Sequence, residues 1–377
     1  MNMVRSLACL LSVVIFCCAP RVRAIEIADG FTYAGTNGFA ASRALALDYA
    51  NYPVFQAVGV LNIFAGTDEF TGTGTLLNSE WVLTAGHNWS ASVTSLQFIH
   101  LGVTNQAVMG SLIQHPLWTN APSPLDNAKV GPSQGWDVAL FRLSTPITNS
   151  IVYPELYTKS DELGKVGILL GGGRLGTGTV DWYPQTNDPP LIHAAANIVD
   201  RTTSQTNSGY AGGQLVNDFD GTTNALRNTL GSSYYTNSGA WTWDDSTNVV
   251  TTLNPAGVIA GSNSSGDQYT SGTNILEGST APGDSGGPTF IQDGSTWKLA
   301  GVTSWGNNPW DELYNGQTNS RGLYGDVNYV TRVSEVSGWI TSVIPEPSTY
   351  ALIGSGALLL VSCNTDSFAL CYGMPAS

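Results

Sequence analysis

The run Ala281-Pro282-Gly283-Asp284-Ser285-Gly286-Gly287-Pro288 places one serine among glycines and prolines. A serine hydroxyl is a poor nucleophile until a neighbouring base takes its proton, and the oxyanion formed on attack needs donors already aimed at it. This turn offers the backbone amides of Gly283 and Ser285, because glycine can present its N–H to a ligand without a Cβ in the way. A bare glycine-flanked serine also occurs in surface turns. The chemistry on offer is acyl transfer, and it requires a base and an orienting acid elsewhere in the chain.

Four histidines are candidates for the base: His87, His100, His115 and His193. His87 follows Trp81-Val82-Leu83-Thr84-Ala85-Gly86, a β-prone apolar run ending in small residues, which reads as a buried strand that delivers an imidazole at its end. The other three read as structural or surface histidines. For the acid, Trp136-Asp137-Val138-Ala139-Leu140-Phe141-Arg142-Leu143 sets a lone aspartate at the mouth of an apolar strand. A carboxylate there is costly to bury unless paired, and a histidine that becomes cationic during turnover is a suitable partner. An aspartate capping a turn is the plainer alternative.

The order His87, Asp137, Ser285 and the three strings around them resemble the trypsin and chymotrypsin family of serine endopeptidases. Further stretches share the resemblance: Gly72 to Trp81, Gly301-Val302-Thr303-Ser304-Trp305-Gly306, and Tyr329 to Val333 running on to Trp339-Ile340. The resemblance implies an all-β fold of two six-stranded antiparallel β-barrels with the active site between them and a C-terminal helix. It implies His87 as base, Asp137 as orienting acid, Ser285 as nucleophile, Gly283 and Ser285 as oxyanion hole, and Asp284 as a structural residue beside the nucleophile. Ser279, Ser304, Trp305 and Gly306 would form the substrate pocket. With Ser279 neutral and Gly306 leaving room, large apolar or aromatic side chains are expected before the scissile bond. Glu277 and Asp326 keep a Lys/Arg preference open as the alternative.

The strand pattern agrees. Val54 to Phe64, Trp81 to Thr84, Leu96 to Leu101, Val138 to Leu143, Val166 to Leu170 and Leu299 to Ser304 are apolar runs punctuated by Gly, Asn, Pro and Asp. Val330 to Ile344 has the best helical period. Asp137 to Ser285 is longer than the family needs, which implies an insertion at about 181–272 within a peptidase domain spanning 51–343. Asn217-Asp218-Phe219-Asp220-Gly221 lies inside the insertion. Asp218 and Asp220 read as a solvated turn, with Ca²⁺ as the alternative use of their oxygens. No other cofactor is expected.

All five cysteines, Cys9, Cys17, Cys18, Cys363 and Cys371, lie near the ends of the chain. Gly72 and Asn88 stand where the resemblance implies a disulfide beside the histidine, and Ala281 stands where it implies another half-cystine. The catalytic region is therefore expected to hold by its core alone.

Residues 1–24 read as a secretory signal peptide, with Arg5, an apolar run and Ala24 at the cut, or else as a membrane anchor. Cleavage after Ala24 exposes Ile25, and the resemblance implies pairing of such a terminus with Asp284. Residues 25–50 are alternatively a pro-segment. Pro345-Glu346-Pro347 followed by an apolar run resembles the PEP-CTERM sorting signal, though no basic cluster follows it; residues 344–377 form this segment. An exosortase-type processing enzyme, transient membrane contact and a secreted or bacterial cell-surface location are what that resemblance implies.

Composition narrows the partners. Charged residues make up 11% of 377, glycine numbers 43, and the formal net charge is −14. With 14 Lys and Arg scattered along the chain, no basic patch exists to bind nucleic acid. A polypeptide is the expected substrate. Two other classes stay open: an inactive exported binding or matrix protein, and an acyl hydrolase of the esterase type, although there the acid and histidine follow the serine.

Overall fold

The computed structural model describes residues 25–118, 135–179, 191–203, 213–220, 273–307 and 324–344, with short strands at 241–244, 249–252, 258–260 and 270–271. The signal and sorting segments lie outside these residues, apart from Ile344, as do all five cysteines.

The protein is mostly β, built on two antiparallel sheets and closed by a C-terminal helix. The first has seven strands, in the order Val103–Gln106, Ser95–His100, Val58–Ala65, Asp68–Leu76, Trp81–Thr84, Ala139–Arg142, Ile113–Gln114. The second has eight, in the order His193–Ile198, Val166–Gly171, Pro288–Asp293, Thr296–Asn307, Val327–Arg332, Gln214–Asp218, Arg201–Thr203, Val258–Ala260. Each thus exceeds six strands by short edge members. Gly66, at φ +65°, makes the tight turn between Val58–Ala65 and Asp68–Leu76, a position that favours glycine.

Leu61, Ile63, Leu76, Val82, Phe98 and Phe141 fill the interior of the first sheet. A larger core joins the two sheets: Leu83, Val138 and Leu140 meet Leu170, Phe290, Leu299 and Val302, and the helix Val333–Val343 adds Val333, Val336 and Ile340. Their burial, at roughly 1.5–3 kcal/mol per large apolar side chain, is what sets the two halves against each other without cross-links.

Several boundaries differ from expectation. Pro53–Ala57 forms a turn of 3-10 helix because Pro53 fixes φ at its start, so the strand begins at Val58 rather than Val54. Val330 to Arg332 end a strand, and the helix starts only at Val333. A second helix, Gly38–Ala46, escaped the periodicity reading because its buried face consists of Ala41, Ser42, Leu45 and Ala46, mostly small residues. It docks on His193–Ile198 through Ser42 Oγ, which donates to the Ala194 carbonyl at 2.7 Å.

Within the span read as an insertion, His193–Ile198, Arg201–Thr203, Gln214–Asp218 and Val258–Ala260 are strands of the second sheet. The surplus length is therefore not one external block. Asp218 and Asp220 are buried rather than solvated, since Asn217 and Asp218 pair with Asn328 and Val327 in the ladder.

Candidate active site

Trp81–Thr84 ends in a short 3-10 turn, Gly86–Asn88, that carries His87 out of the first sheet. Gln114 Nε2 braces this turn by donating to the carbonyls of Gly86 at 2.7 Å and Trp89 at 3.2 Å. The antiparallel partner strand Ala139–Arg142 places Asp137 two residues before its start, opposite that turn. Asp137 Oδ1 accepts the His87 backbone N–H at 2.8 Å, and Oδ2 meets His87 Nδ1 at 2.6 Å. With Nδ1 protonated toward the carboxylate, Nε2 is left as the acceptor.

Asp137 is 1% exposed and has a third donor, the Ser304 hydroxyl, at 2.5 Å from Oδ2. Thr331 Oγ1 donates to its carbonyl at 3.1 Å. The register of Thr296–Asn307 against Val327–Arg332 slips between Thr303 and Trp305, so Ser304 drops out of the ladder, with its hydroxyl on Asp137. Ser304 is expected as pocket wall; its hydroxyl points to Asp137. Burial pulls the His87 imidazole down, but the charge and hydrogen bond of Asp137 outweigh it and hold His87 above the ordinary histidine range.

The turn that carries Ser285 sits where Pro288–Asp293 begins. Gly283 and Gly286 take φ +98° and +86°, values an L side chain resists. A Cβ on Gly286 would also lie 2.1 Å from Thr84 Oγ1, so the turn packs directly on the histidine strand. The Gly287 and Asp284 amides are spent inside the turn, on Asp284 O and Ala281 O. Among the described residues the Gly283 and Ser285 amides donate to no protein acceptor, which leaves both for a ligand. The Ser285 carbonyl accepts from Thr73 N–H at 2.8 Å and Asn88 Nδ2 at 2.9 Å. Its hydroxyl makes no hydrogen bond to His87 in this structure. What the structure ties together is the Ser285 carbonyl and Asn88, the residue after His87; catalytic hydrogen bonds commonly tighten only with substrate bound.

Asp284 is fully buried. Its carboxylate accepts from Ala281 N–H at 2.7 Å, Gly173 N–H at 2.8 Å and Ile25 N–H at 3.2 Å. Burial pushes it up to about 7 against the pull of those three donors. Residues 171–173 are all glycine, and a Cβ on Gly171 would fall 2.1 Å from Asp284 Oδ1. Ile25 reaches this site because Glu26–Ile27 is the middle strand of a small sheet, parallel to Gly176–Thr177 and antiparallel to Gly278–Ser279. Ile25 itself holds φ +66°, a strained value for a β-branched residue.

Ser279 is buried at the end of that sheet. Its hydroxyl meets the Asn328 side chain, with Nδ2 at 3.0 Å and Oδ1 at 3.2 Å; Thr280 Oγ1 donates to the same Oδ1 at 2.7 Å. Asn328 Oδ1 lies 3.3 Å from where a Cβ on Gly306 would stand. Asn328 therefore spans from Ser279 to Gly306, and the room expected beside Gly306 is narrower than glycine alone suggests. Trp305 stacks flat on Tyr329 at 3.8 Å. Glu277 Oε1 is occupied by Asn197 Nδ2 at 2.8 Å and the Asp220 N–H at 3.4 Å.

The remaining histidines are interior. His100 Nε2 contacts the Gln56 carbonyl at 2.6 Å, and His115 stacks on Trp136 and is held down to about 4 by burial. His193 is buried on its strand. Burial and the charges of Asp218 and Asp220 push the Asp200 carboxyl well above the ordinary range. Among the described residues no group of three or more His, Cys, Asp or Glu is arranged to hold a metal.

Sequence comparison places these features among known proteins. The family model described as Trypsin matches residues 238–333, a span containing Ser285. The platelet-aggregating proteinase PA-BJ of Bothrops jararaca is 27% identical over 280 residues, covering 74% of this chain and 85% of that protein. Among solved structures, mouse neuropsin, a serine protease expressed in the limbic system of the brain, aligns at TM-score 0.42 and 18% identity, over 78% of this chain and 96% of that one. The protease Anisep of Arthrobacter nicotinovorans aligns at TM-score 0.41 and 14% identity, over 77% and 96%. The family match falls on the segment that contains Ser285, and the proteinase relative aligns across most of its own length, so the chain is similar to trypsin-like serine endopeptidases.

Proposed function

We propose that the chain is an exported endopeptidase that cleaves polypeptides after uncharged, apolar side chains through a His87, Asp137, Ser285 triad. The observation that carries this reading is the buried Asp137 carboxylate, which receives both the backbone N–H and Nδ1 of His87. In the proposed reaction His87 Nε2 takes the Ser285 proton as Oγ attacks the scissile carbonyl, and Asp137 stabilises the resulting imidazolium. The Gly283 and Ser285 amides hold the oxyanion. The imidazolium then protonates the leaving amine, and a water activated by the same imidazole releases the acyl group from Ser285.

The neutral Ser279 and Asn328 favour an uncharged side chain over Lys or Arg, and Asn328 limits the depth available to large aromatic rings. Maturation by cleavage after Ala24 is supported by Ile25. Its amide already rests on Asp284, and a free amine has no φ, so the cut abolishes the strain at this residue and delivers an ammonium to a buried carboxylate. Export by the N-terminal segment and surface sorting by an exosortase-type enzyme acting on the C-terminal one complete the proposal.

Labelling with a serine-directed phosphonate tests it. Modification at Ser285 in the wild type, its loss in Ser285→Ala, and a fall in turnover of about 10⁴-fold or more are expected. A folded wild-type protein that neither labels nor hydrolyses peptides would make it a binding protein. Mass mapping of both termini of secreted protein checks Ile25 as the first residue and the fate of the sorting segment.

A further inference from the structure

Asn88 follows His87 directly, and its amide Nδ2 donates to two acceptors, Thr84 Oγ1 at 2.9 Å and the Ser285 carbonyl at 2.9 Å. Thr84 Oγ1 in turn donates to the Thr73 carbonyl at 2.8 Å, and Thr73 N–H donates to the Ser285 carbonyl at 2.8 Å. Thr73 Oγ1 also donates to the Gly283 carbonyl at 3.1 Å. These bonds close a ring that runs from the histidine turn to the nucleophile turn and back through the histidine strand. Asn88 is the one member of the ring adjacent in sequence to the base. The amide lies across Gly72, whose Cβ, if present, would fall 2.8 Å from Asn88 Nδ2 and 3.2 Å from Cγ.

From this geometry we infer that Asn88 is a positioning residue: its side-chain amide ties the His87 turn to the Ser285 carbonyl and sets the approach of the Ser285 hydroxyl to His87. The inference rests on the proposed roles of His87 and Ser285. It accounts for how two residues that share no direct hydrogen bond are held in one arrangement. The requirement is a fixed link from residue 88 to the strand that carries Thr73, which itself holds the Ser285 and Gly283 carbonyls; in the wild type the amide hydrogens supply that link. Aspartate at 88 has the same shape but brings two acceptors to a carbonyl, so it repels where asparagine binds. Gly72 is the complementary half, since any larger side chain there displaces the amide. It is not in the positive-φ region, and the three atoms nearest to a Cβ at 72 all belong to Asn88, so the amide is what a side chain there meets first.

That last point supplies the test. A cysteine at 88 puts sulfur near the place of Cγ, 3.2 Å from the Cβ that a cysteine at 72 would carry, which is close to the separation in a relaxed disulfide. Asn88→Ala, Asn88→Asp and the double variant Gly72→Cys/Asn88→Cys are compared with wild type for kcat, KM, the rate of Ser285 phosphonylation and Tm. Asn88→Ala and Asn88→Asp are expected to lower kcat and the labelling rate by about 10- to 100-fold, with KM within about 3-fold, the signature of lost alignment rather than lost binding. The double variant is expected to match the wild-type kcat within about 3-fold when oxidised and to fall to the Asn88→Ala level after reduction by a phosphine. This toggle occurs within one folded protein, so it decides the matter even if the alanine variant unfolds. Wild-type kcat and labelling in a folded Asn88→Ala would overturn the tie, as would a double variant indifferent to reduction. A wild type that fails to label at Ser285 would instead overturn the catalytic reading, and the tie with it.

Discussion

Ser304 donates its hydroxyl to the same Asp137 oxygen that receives His87 Nδ1, so two residues from different sheets converge on Oδ2 at 2.5 and 2.6 Å. Removing one donor concentrates the carboxylate charge on the other. Ser304→Ala is expected to raise the His87 pKa further and to shift the acidic limb of kcat/KM to higher pH, with turnover down by about 10-fold for the lost hydrogen bond to a charged group. An unshifted limb would mean that Ser304 does not act through Asp137.

The wild-type limb follows from the same pair. Asp137 holds His87 above the ordinary histidine range despite burial, and only the neutral imidazole accepts a proton from serine. Activity is therefore expected to be lost as pH falls through a midpoint above ~6.5, the unperturbed histidine value. A pH profile of kcat/KM on a neutral peptide measures it.

Asp284 makes stability depend on the bond before Ile25. While that bond is intact, burial places the carboxyl at about 7. A folded-state pKa above the unfolded one gives stability that is complete below the unfolded value of ~3.9 and lost as pH rises through the folded one. Tm of the uncut chain is expected to fall between these two values. In the cut chain the Ile25 ammonium favours the ionised carboxylate and lowers its pKa, so that fall disappears. Thermal scans of both forms across that range would show it, and identical slopes would remove the ammonium from the site.

Asn328 offers a test of specificity. Asn328→Gly removes the amide that spans Ser279 and Gly306. The expected outcome is a rise of about 10-fold or more in kcat/KM for Phe or Tyr relative to Ala before the scissile bond, the scale of a few methylenes of added room. A peptide panel with wild type as reference reads this directly, and a Lys/Arg preference in either protein would refute the neutral pocket.

Arg332 and Glu162 form a buried pair with two hydrogen bonds, at 2.9 and 2.5 Å, and Ser334 Oγ adds a third to the carboxylate at 2.7 Å. Arg332→Met is expected to cost about 3–5 kcal/mol in denaturant unfolding, because Glu162 is left charged and buried. Adding Glu162→Gln should recover much of the loss.

The parts of the site that could be read from sequence are those in which chemistry and local structure share one short string. His87 ends an apolar strand, Asp137 opens another, and Ser285 sits in a turn whose glycines are spelled out. What escaped depends on register between distant strands. Ser304 faces Asp137 because of a slip opposite Val327–Arg332, and no string around Ser304 announces it. Asn328 reaches the proposed pocket because Gly306 is its ladder partner, and Asn217 and Asp218 are buried because the same strand claims them. The helix Gly38–Ala46 stayed hidden for another reason: alanines pack closely without leaving a strong apolar period.

No cysteine lies between residues 19 and 362, and the Asn88 amide stands where the resemblance implies a sulfur bridge. Such a fold needs no oxidant to form, so it can reach its native shape in a reducing compartment as well as in an oxidising one. On the proposed function, redox conditions then cannot keep the protease harmless to the cell that makes it. Under the proposed maturation, the timing of activity then falls on a single peptide linkage, the one joining Ala24 to Ile25.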